Sequence, residues 1–356
     1  MISKDIIKEV LGINADNTLI NQVYKRLNKI KSKQKKFTFI DLFAGVGGIR
    51  TAFEPLGGEC VFSSEWDRSC QETYFSNFGE LPKGDINQIE MNEIPPHNLL
   101  LAGFPCQAFS IAGYRKGFED ARGTLFFNIA DILEHHKPDG FLLENVKGLF
   151  NHTNFDGRKT YDRIKEILIN LGYEVVESIL NSLTHANIPQ TRERIIIIGI
   201  KNELYNDLKL LNGIFKFPKA IKLTRTIDDL IDNNKKEEKY YYQIDHKYYD
   251  ELQKNVKLKD TIYQWRRHYV RENKSNACPT LTANMGTGGH NVPIIKDNYG
   301  IRKLTPRECA RFQGFKDSFI LPNHLPDSKL YYQIGNSVTV PLIKRVARQL
   351  INYIKY

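Results

Sequence analysis

The sequence predicts an α/β fold: a doubly wound, mostly parallel sheet carrying a smaller inserted unit. Three observations support this. Short apolar runs with the make-up of buried strands alternate with helical patterns between residues 37 and 200. The first run leads into a glycine-rich turn and then a helix. After residue 200 the alternation gives way to a Lys-, Asn-, Tyr- and Asp-rich stretch of weak periodicity, and order returns only near residue 302.

Residues 1–36 form a basic lead-in in which Ile20, Val23, Tyr24, Leu27 and Ile30 recur at helical spacing. The run KIKSKQKK (29–36) follows, so this helical extension reads as a docking helix with a linker in preference to a DNA-contacting arm. FTFIDLFAGVGGIR (37–50) reads as strand, tight turn and helix. VFSSEWD (61–67) is a strand ending in Glu65, and Asp85 is expected at a third strand end. NLLLAGF (98–104), GFLLEN (140–145), YEVVESIL (173–180) and RIIIIGI (194–200) are further strands. Helices are expected over 125–133 and 161–171. Residues 37–203 are then the main unit, 204–300 a small domain, and 301–356 a hinge and helix returning to the main unit. In that last segment LTPRECARFQGF (304–315) is a short helix opened by a Thr cap and a Pro. A loop from residue 334 leads into an amphipathic helix whose Leu342, Ile343, Val346, Leu350 and Ile354 face the core.

The chain has 356 residues, 41% of them hydrophobic, which is ample for a core. A formal charge of +10 suits a polyanionic partner, nucleic acid first, although a Lys-rich protein without such a partner has the same balance. The five cysteines (Cys60, Cys70, Cys106, Cys278, Cys309) are scattered and odd in number, which argues against a disulfide framework. None has zinc-site spacing, and His135-His136 reads as a solvated helix end. The N-terminus has no apolar signal core and no run has membrane-spanning length. A cytoplasmic, reduced compartment is the expectation, with no metal.

Four signals carry chemistry. Gly45, Gly47 and Gly48 allow a close backbone approach to a ligand, and Glu65, one strand on, is placed to accept from the ribose hydroxyls of an adenosine group. A purely structural turn would read the same way in isolation. Cys106 follows Pro105, which cannot continue a central strand, so the thiol stands at the carboxyl end of the strand, where open α/β sheets build sites. It is either a nucleophile or a small core residue. Glu144 ends a strand among apolar neighbours, as a proton donor or as a capping or paired carboxylate. Arg192 and Arg194 alternate at a strand start and share a face; their forks suit a carbonyl oxygen, a carboxylate or a phosphate.

The ordered set DLFAGVGG (41–48), SSEWD (63–67), GDI (84–86), GFPCQAFSIAG (103–113), RGTLFF (122–127), FLLENVKGL (141–149), IPQTRER (188–194), PTLTANMGTGG (279–289), LTPRECARFQGF (304–315) and GNSV (335–338) resembles the DNA (cytosine-5) methyltransferases of bacterial restriction-modification systems. The resemblance implies a Rossmann-like, S-adenosylmethionine-dependent methyltransferase fold with an inserted target-recognition domain. Phe43, Gly45, Gly47, Glu65, Trp66, Asp85, Pro105, Leu125, Asn336 and Val338 would border S-adenosylmethionine. Cys106 would attack cytosine, Glu144 and Arg194 would hold the base, and Arg192 would stand nearby. Gln107, Ser110 and Arg122 in the loop after the cysteine, Arg266, Arg267 and Arg271 in the variable region, and Thr280, Thr282 and Gly288 beside it would meet DNA. Ala112 stands where some members carry Ser. The resemblance further implies double-stranded DNA as partner, a cognate restriction endonuclease on the same site without a stable complex, and a monomer.

Rival readings are an RNA enzyme, a non-catalytic DNA-binding relative and a nicotinamide dehydrogenase. Double-cysteine RNA methylases carry a Cys where this chain reads LENV, whereas a single-cysteine tRNA methylase on the same fold stays open. The joint presence of Cys106, Glu144 and Arg194 argues against a non-catalytic relative. A dehydrogenase needs GxGxxG, and Arg50 occupies the third glycine position of GVGGIR.

Overall fold

The computed structural model describes residues 2–29, 34–105, 125–153, 157–287 and 291–355. The main sheet is built from β1 (Phe37–Leu42), β2 (Gly58–Ser64), β3 (Leu99–Gly103), β4 (Gly140–Val146), β5 (Tyr173–Asn181) and, after the short β6 (Gln190–Thr191), β7 (Glu193–Lys201). Its order is β2-β1-β3-β4-β7-β5. β1 runs parallel to β2 and β3, and β3 parallel to β4, whereas β7 is antiparallel to both β4 and β5. The reversal follows from chain length. A parallel return needs a crossover of about a dozen residues or more, usually a full helix. Between β5 and β7 the chain holds only the one-turn helix Ser182–His185 and β6.

Alternate strand residues feed the two faces, as a sheet buried on both sides requires. Leu99, Leu101, Ile196 and Ile198 pack with Ile49 and Phe53 of the helix Gly48–Phe53 and with Leu342, Ile343, Val346 and Leu350 of Val340–Leu350. Leu100, Ala102, Ile195 and Ile197 pack on the other side with helices Leu125–His136 and Thr160–Asn170. The amphipathic C-terminal helix therefore buries the face read from the sequence, and Ile354 beyond it is also buried.

The lead-in folds into two helices, Lys4–Leu11 and Asn17–Leu27, capped by Ser3 and Asp16. Ile7, Leu19, Ile20 and Val23 bury against Phe75 and Ile320. The segment is docked by an apolar face, as the periodicity predicts.

The small unit is a four-stranded sheet in the order β12-β11-β8-β9, from β8 (Tyr263–Arg266), β9 (Tyr269–Glu272), β11 (Ile294–Lys296) and β12 (Ile301–Lys303). A further short strand, β10 (Cys278–Pro279), pairs with β6 and ties this unit to the main one. The packing divides the chain elsewhere than at 204 and 300. The helix Asn202–Asn212 lies on the large unit, with Tyr205 against Tyr353, and β12 completes the small sheet. Arg302, fully buried, joins Asp297 (2.6 Å) in the β11–β12 turn to Glu308 (2.8 Å) in the helix Pro306–Phe312. Tyr240 and Tyr242 are core residues. One helix, Asp327–Asn336, takes the first half of the loop expected from residue 334; residues 337–339 remain outside helices there. Among the described residues no helix is long and apolar enough to cross a membrane, and Cys60, Cys70, Cys278 and Cys309 are free thiols.

Candidate active site

A cleft of about 600 Å³ opens at the carboxyl ends of β1–β4. Its first wall is the glycine turn. Phe43, Gly45 and Gly47 all have positive φ (53°, 54° and 81°), so the chain reverses sharply after β1. A Cβ on Gly47 would stand 2.3 Å from the Phe78 ring, and one on Gly48 2.6 Å from Ser337 Oγ. The glycines thus admit close neighbours on both sides. Gly47 itself caps the helix with Phe78 against it, outside the residues that line the cleft, and shapes the turn.

Glu65 follows β2 directly. Its Oε2 accepts from Gly45 N–H and its Oε1 from Asp67 N–H, both at 2.8 Å. Burial raises its pKa although both N–H groups oppose the shift. Each oxygen keeps lone-pair capacity toward the cleft. Trp66 beside it is 75% exposed on the rim. Asp85 also lines the cleft, but not at a strand end. It caps the 3₁₀ turn Ile86–Gln88, accepting from Asn87 N–H at 3.0 Å and Asn87 Nδ2 at 2.8 Å. Phe43, Pro105, Leu125, Asn336 and Val338 complete this end. Arg50 is turned under the turn, against Glu54 (2.6 Å), Glu80 (2.5 Å) and the Phe78 ring (4.5 Å). Where a dinucleotide-binding turn needs its third glycine, the chain thus carries a buried, paired arginine.

The second wall is formed by Glu144 and Arg194. Glu144 sits near the end of β4, where the antiparallel β7 sets Val146 opposite Arg194. A parallel β7 would have put Arg194 at the far edge of the sheet. Arg194 Nε lies 2.9 Å from Glu144 Oε1, off the hydrogen-bonding direction, and that oxygen has no aligned donor among the described residues. Asn145 Nδ2 donates to the Phe104 carbonyl at 2.9 Å, fixing the chain where it leaves β3. The sequence offered no sign of this role beyond a polar residue at the end of an apolar strand.

Arg192, expected near the base on a face shared with Arg194, lines the same cleft but is bound differently. It is 2% exposed and its guanidinium is committed to the main chain. It donates to the carbonyls of Leu281 (2.7 Å), Gly335 (3.3 Å) and Ser337 (2.7 Å). Burial, with Arg194 adding to it, lowers its pKa to about 9, and Glu144 opposes the shift. It lines the cleft as a positioning residue that joins three segments. Gln190 and Gln313 extend the same buried network: Gln190 Nε2 donates to Phe312 O (2.6 Å), Gln190 Oε1 accepts from Leu281 N–H (3.1 Å), and Gln313 Nε2 donates to Ile334 O (2.9 Å). Neither glutamine was singled out from the sequence, because a polar residue without periodic context reads as surface.

A second, polar cleft lies beside the first. Thr191, Gln264, Arg266, Arg271, Thr280 and Thr282 line it. Arg267 instead occupies the β8–β9 turn with φ 48°.

Residues 37–352 match the family described as C-5 cytosine-specific DNA methylase. The chain belongs to this family. The methylase is 49% identical over 315 residues to the type II methyltransferase M.Bsp6I of Bacillus sp. (strain RFL6), covering 87% of this chain and 96% of that one. It is 44% identical over 322 residues to M.DsaV of Dactylococcopsis salina, covering 90% and 88%. Among solved structures it superposes on the S. pombe Dnmt2 methyltransferase with a TM-score of 0.67 at 20% identity, over 89% of this chain and 98% of that one, a likeness of fold. The methylase is therefore an enzyme of DNA cytosine-5 methylation. Its Cys106, Gln107, Ser110, Arg122 and Gly288, named from the sequence, lie outside the described residues.

Proposed function

We propose that this methylase transfers a methyl group from S-adenosylmethionine to C5 of a cytosine flipped out of a short, specific duplex site, through a covalent bond between Cys106 and C6. The observation that carries the reading is the Glu144–Arg194 pair, with an unsatisfied Glu144 oxygen, on the same cleft as the Glu65 turn.

The cofactor end fits the group. Glu65 offers two carboxylate oxygens to ribose hydroxyls, and Trp66 and Phe43 offer aromatic surface to a purine. When bound, S-adenosylmethionine supplies the electrophilic methyl that C5 takes up. The chain's own residues make C5 nucleophilic. The Cys106 thiolate adds to C6, and the electron pair displaced toward C5 and the ring is stabilised by a hydrogen bond from the Glu144 carboxyl at N3. Arg194 holds O2 and orients Glu144 through their 2.9 Å contact. Loss of the C5 proton after transfer expels the thiolate and restores the ring. A stacked base presents neither face, so the nucleotide must leave the helix.

Similarity to type II methyltransferases supports a role in restriction-modification: the enzyme works as a cytoplasmic monomer that protects host DNA from a nuclease cutting the same site. The test is transfer of a labelled methyl group from S-adenosylmethionine to duplex DNA and, separately, to tRNA. Label in 5-methylcytosine of DNA, abolished by Cys106→Ala, is expected. Label in tRNA alone would overturn the reading in favour of the RNA enzyme.

A further inference from the structure

We infer that the lead-in helices Lys4–Leu11 and Asn17–Leu27 belong to the cofactor end of the enzyme: they grip both ends of the helix Arg68–Phe78 and so hold Glu65 and the glycine turn in place, with Arg26 as the positioning residue. The inference rests on the proposed function for the identity of the cofactor, and it gives a role to a segment outside residues 37–352, the part matched to the family.

Three features support it. First, the helix Arg68–Phe78 backs the cofactor wall. Asp67 caps it, accepting from Cys70 N–H at 3.0 Å, and gives its own N–H to Glu65 Oε1 at 2.8 Å. Gln71 Nε2 donates to the Glu65 carbonyl at 2.5 Å. Further along the same helix, the Tyr74 and Phe78 rings close on Gly47. A shift of this helix therefore moves the carboxylate and the turn together. Second, the lead-in holds it at both ends. Arg68 Nη2 donates to Val10 O at 2.6 Å, and Arg26 Nε donates to Asn77 O at 3.1 Å. Both acceptors lie in the last turn of a helix, where carbonyls have no partner within the helix. Gly79, with φ 76°, lets Ile2 approach so closely that a Cβ there would stand 2.6 Å from its Cδ1. Between the two ends, Phe75 shares an apolar cluster with Ile7, Leu19, Ile20 and Val23. Third, the grip extends to the stretch 318–323. Arg26 Nη1 donates to the Ser318 carbonyl, and Asn323 Nδ2 donates to Asp16 Oδ2 at 3.1 Å. Asn77 exchanges hydrogen bonds with the Ile320 main chain at 2.8 and 2.9 Å. That stretch leads into the helix Asp327–Asn336, whose Gln333 accepts from Thr73 Oγ1 at 2.9 Å and donates to Ser69 Oγ at 3.1 Å. The helix behind Glu65 is thus clamped from two sides, and Arg26 bonds to the helix and to the stretch that leads to its second clamp.

The test compares the full-length wild type with Arg26→Met, Arg26→Lys and Ile20→Ala. Calorimetry gives the affinity for S-adenosylhomocysteine, methyl transfer gives KM for S-adenosylmethionine and for duplex DNA, urea unfolding gives stability, and amide exchange reports on residues 65–79. Arg26→Met and Ile20→Ala are each expected to weaken S-adenosylhomocysteine binding and raise KM for S-adenosylmethionine by about 5- to 20-fold, the weight of roughly one misaligned hydrogen bond at Glu65, with KM for DNA unchanged. Arg26→Lys should fall between, because an ammonium keeps the charge and loses the fork that spans two carbonyls; it also decides the matter if the other variants fail to fold. Exchange should rise over 65–79 and stay as it is over 195–200, since the loss is local. Unchanged cofactor affinity, whatever the loss of stability, would overturn the inference and leave the lead-in as a cover only. An equal rise in both KM values would overturn it too. A wild type that binds no S-adenosylhomocysteine would instead overturn the proposed function, while exchange over 65–79 still reads the grip of the lead-in.

Discussion

Replacing Arg192 by Met tests whether this residue holds the site together. The side chain keeps its apolar stem and loses every donor. Two of its contacts, to Leu281 O and Ser337 O, are 2.7 Å and come from a charged donor. Such bonds contribute about 1.5–3 kcal/mol each, so the gross loss is about 3–6 kcal/mol. Relief from burying a cation offsets part of this, because an apolar substitute no longer carries the desolvation cost. A net destabilisation of about 2–4 kcal/mol remains, since the buried carbonyls are left without donors. Equilibrium urea unfolding of the purified variant measures it directly. Released from Arg192, the segments around Leu281 and Ser337 should also drift, raising KM for both substrates. Arg192→Lys should fall between, because one ammonium cannot span the same three carbonyls. A variant with wild-type stability and wild-type KM values would refute the positioning role.

Two other outcomes follow from the described groups. Burial lowers the His97 pKa to about 4, with His136 adding to the shift and the Pro95 carbonyl opposing it. Because the folded value lies below the ordinary 6.5, protons bind the unfolded chain more tightly. Stability is complete above pH 6.5 and is lost as the pH falls toward 4, by about 2 kcal/mol between pH 7 and pH 5. Urea midpoints at the two pH values should differ less in His97→Gln than in the wild type; an identical difference would place the acid sensitivity elsewhere. Glu65→Ala should raise KM for S-adenosylmethionine by about 10- to 100-fold, the weight of one charge-assisted hydrogen bond or slightly more, with little effect on KM for DNA. An unchanged cofactor KM would remove the ribose assignment.

Much of the main unit was legible because its strands are long apolar runs bounded by turn residues, and burial on both faces makes such runs unmistakable. The direction of β7 was not legible. Apolar composition says nothing about orientation, and it is orientation that brings Arg194 to Glu144. Arg192 and Arg194 look equivalent in RER, yet one donates into main chain and the other meets a carboxylate. That difference depends on the Leu281 and Ser337 carbonyls, which come from segments far along the chain. The small sheet escaped detail because its strands are only three or four residues long, too short for a periodic signal. Its limits were misplaced for the same reason. Glycines explain the missed end of the helix Asp327–Asn336. Gly335 looks like a loop residue, but its lack of a side chain is used for contact: a Cβ there would stand 2.2 Å from the Thr282 carbonyl.

In the proposed mechanism Cys106 bonds to the target cytosine while Glu144 and Arg194 hold it. A duplex carrying the enzyme's motif with 5-fluorocytosine at the target position tests this most directly. Fluorine leaves C5 without a proton to lose, so the thiolate cannot be expelled after methyl transfer. In the presence of S-adenosylmethionine a denaturation-resistant protein–DNA complex is expected, mapped by mass spectrometry to Cys106 and absent in Cys106→Ala. Methylated ordinary duplex together with no trapped complex, or a bond to any other residue, would contradict it.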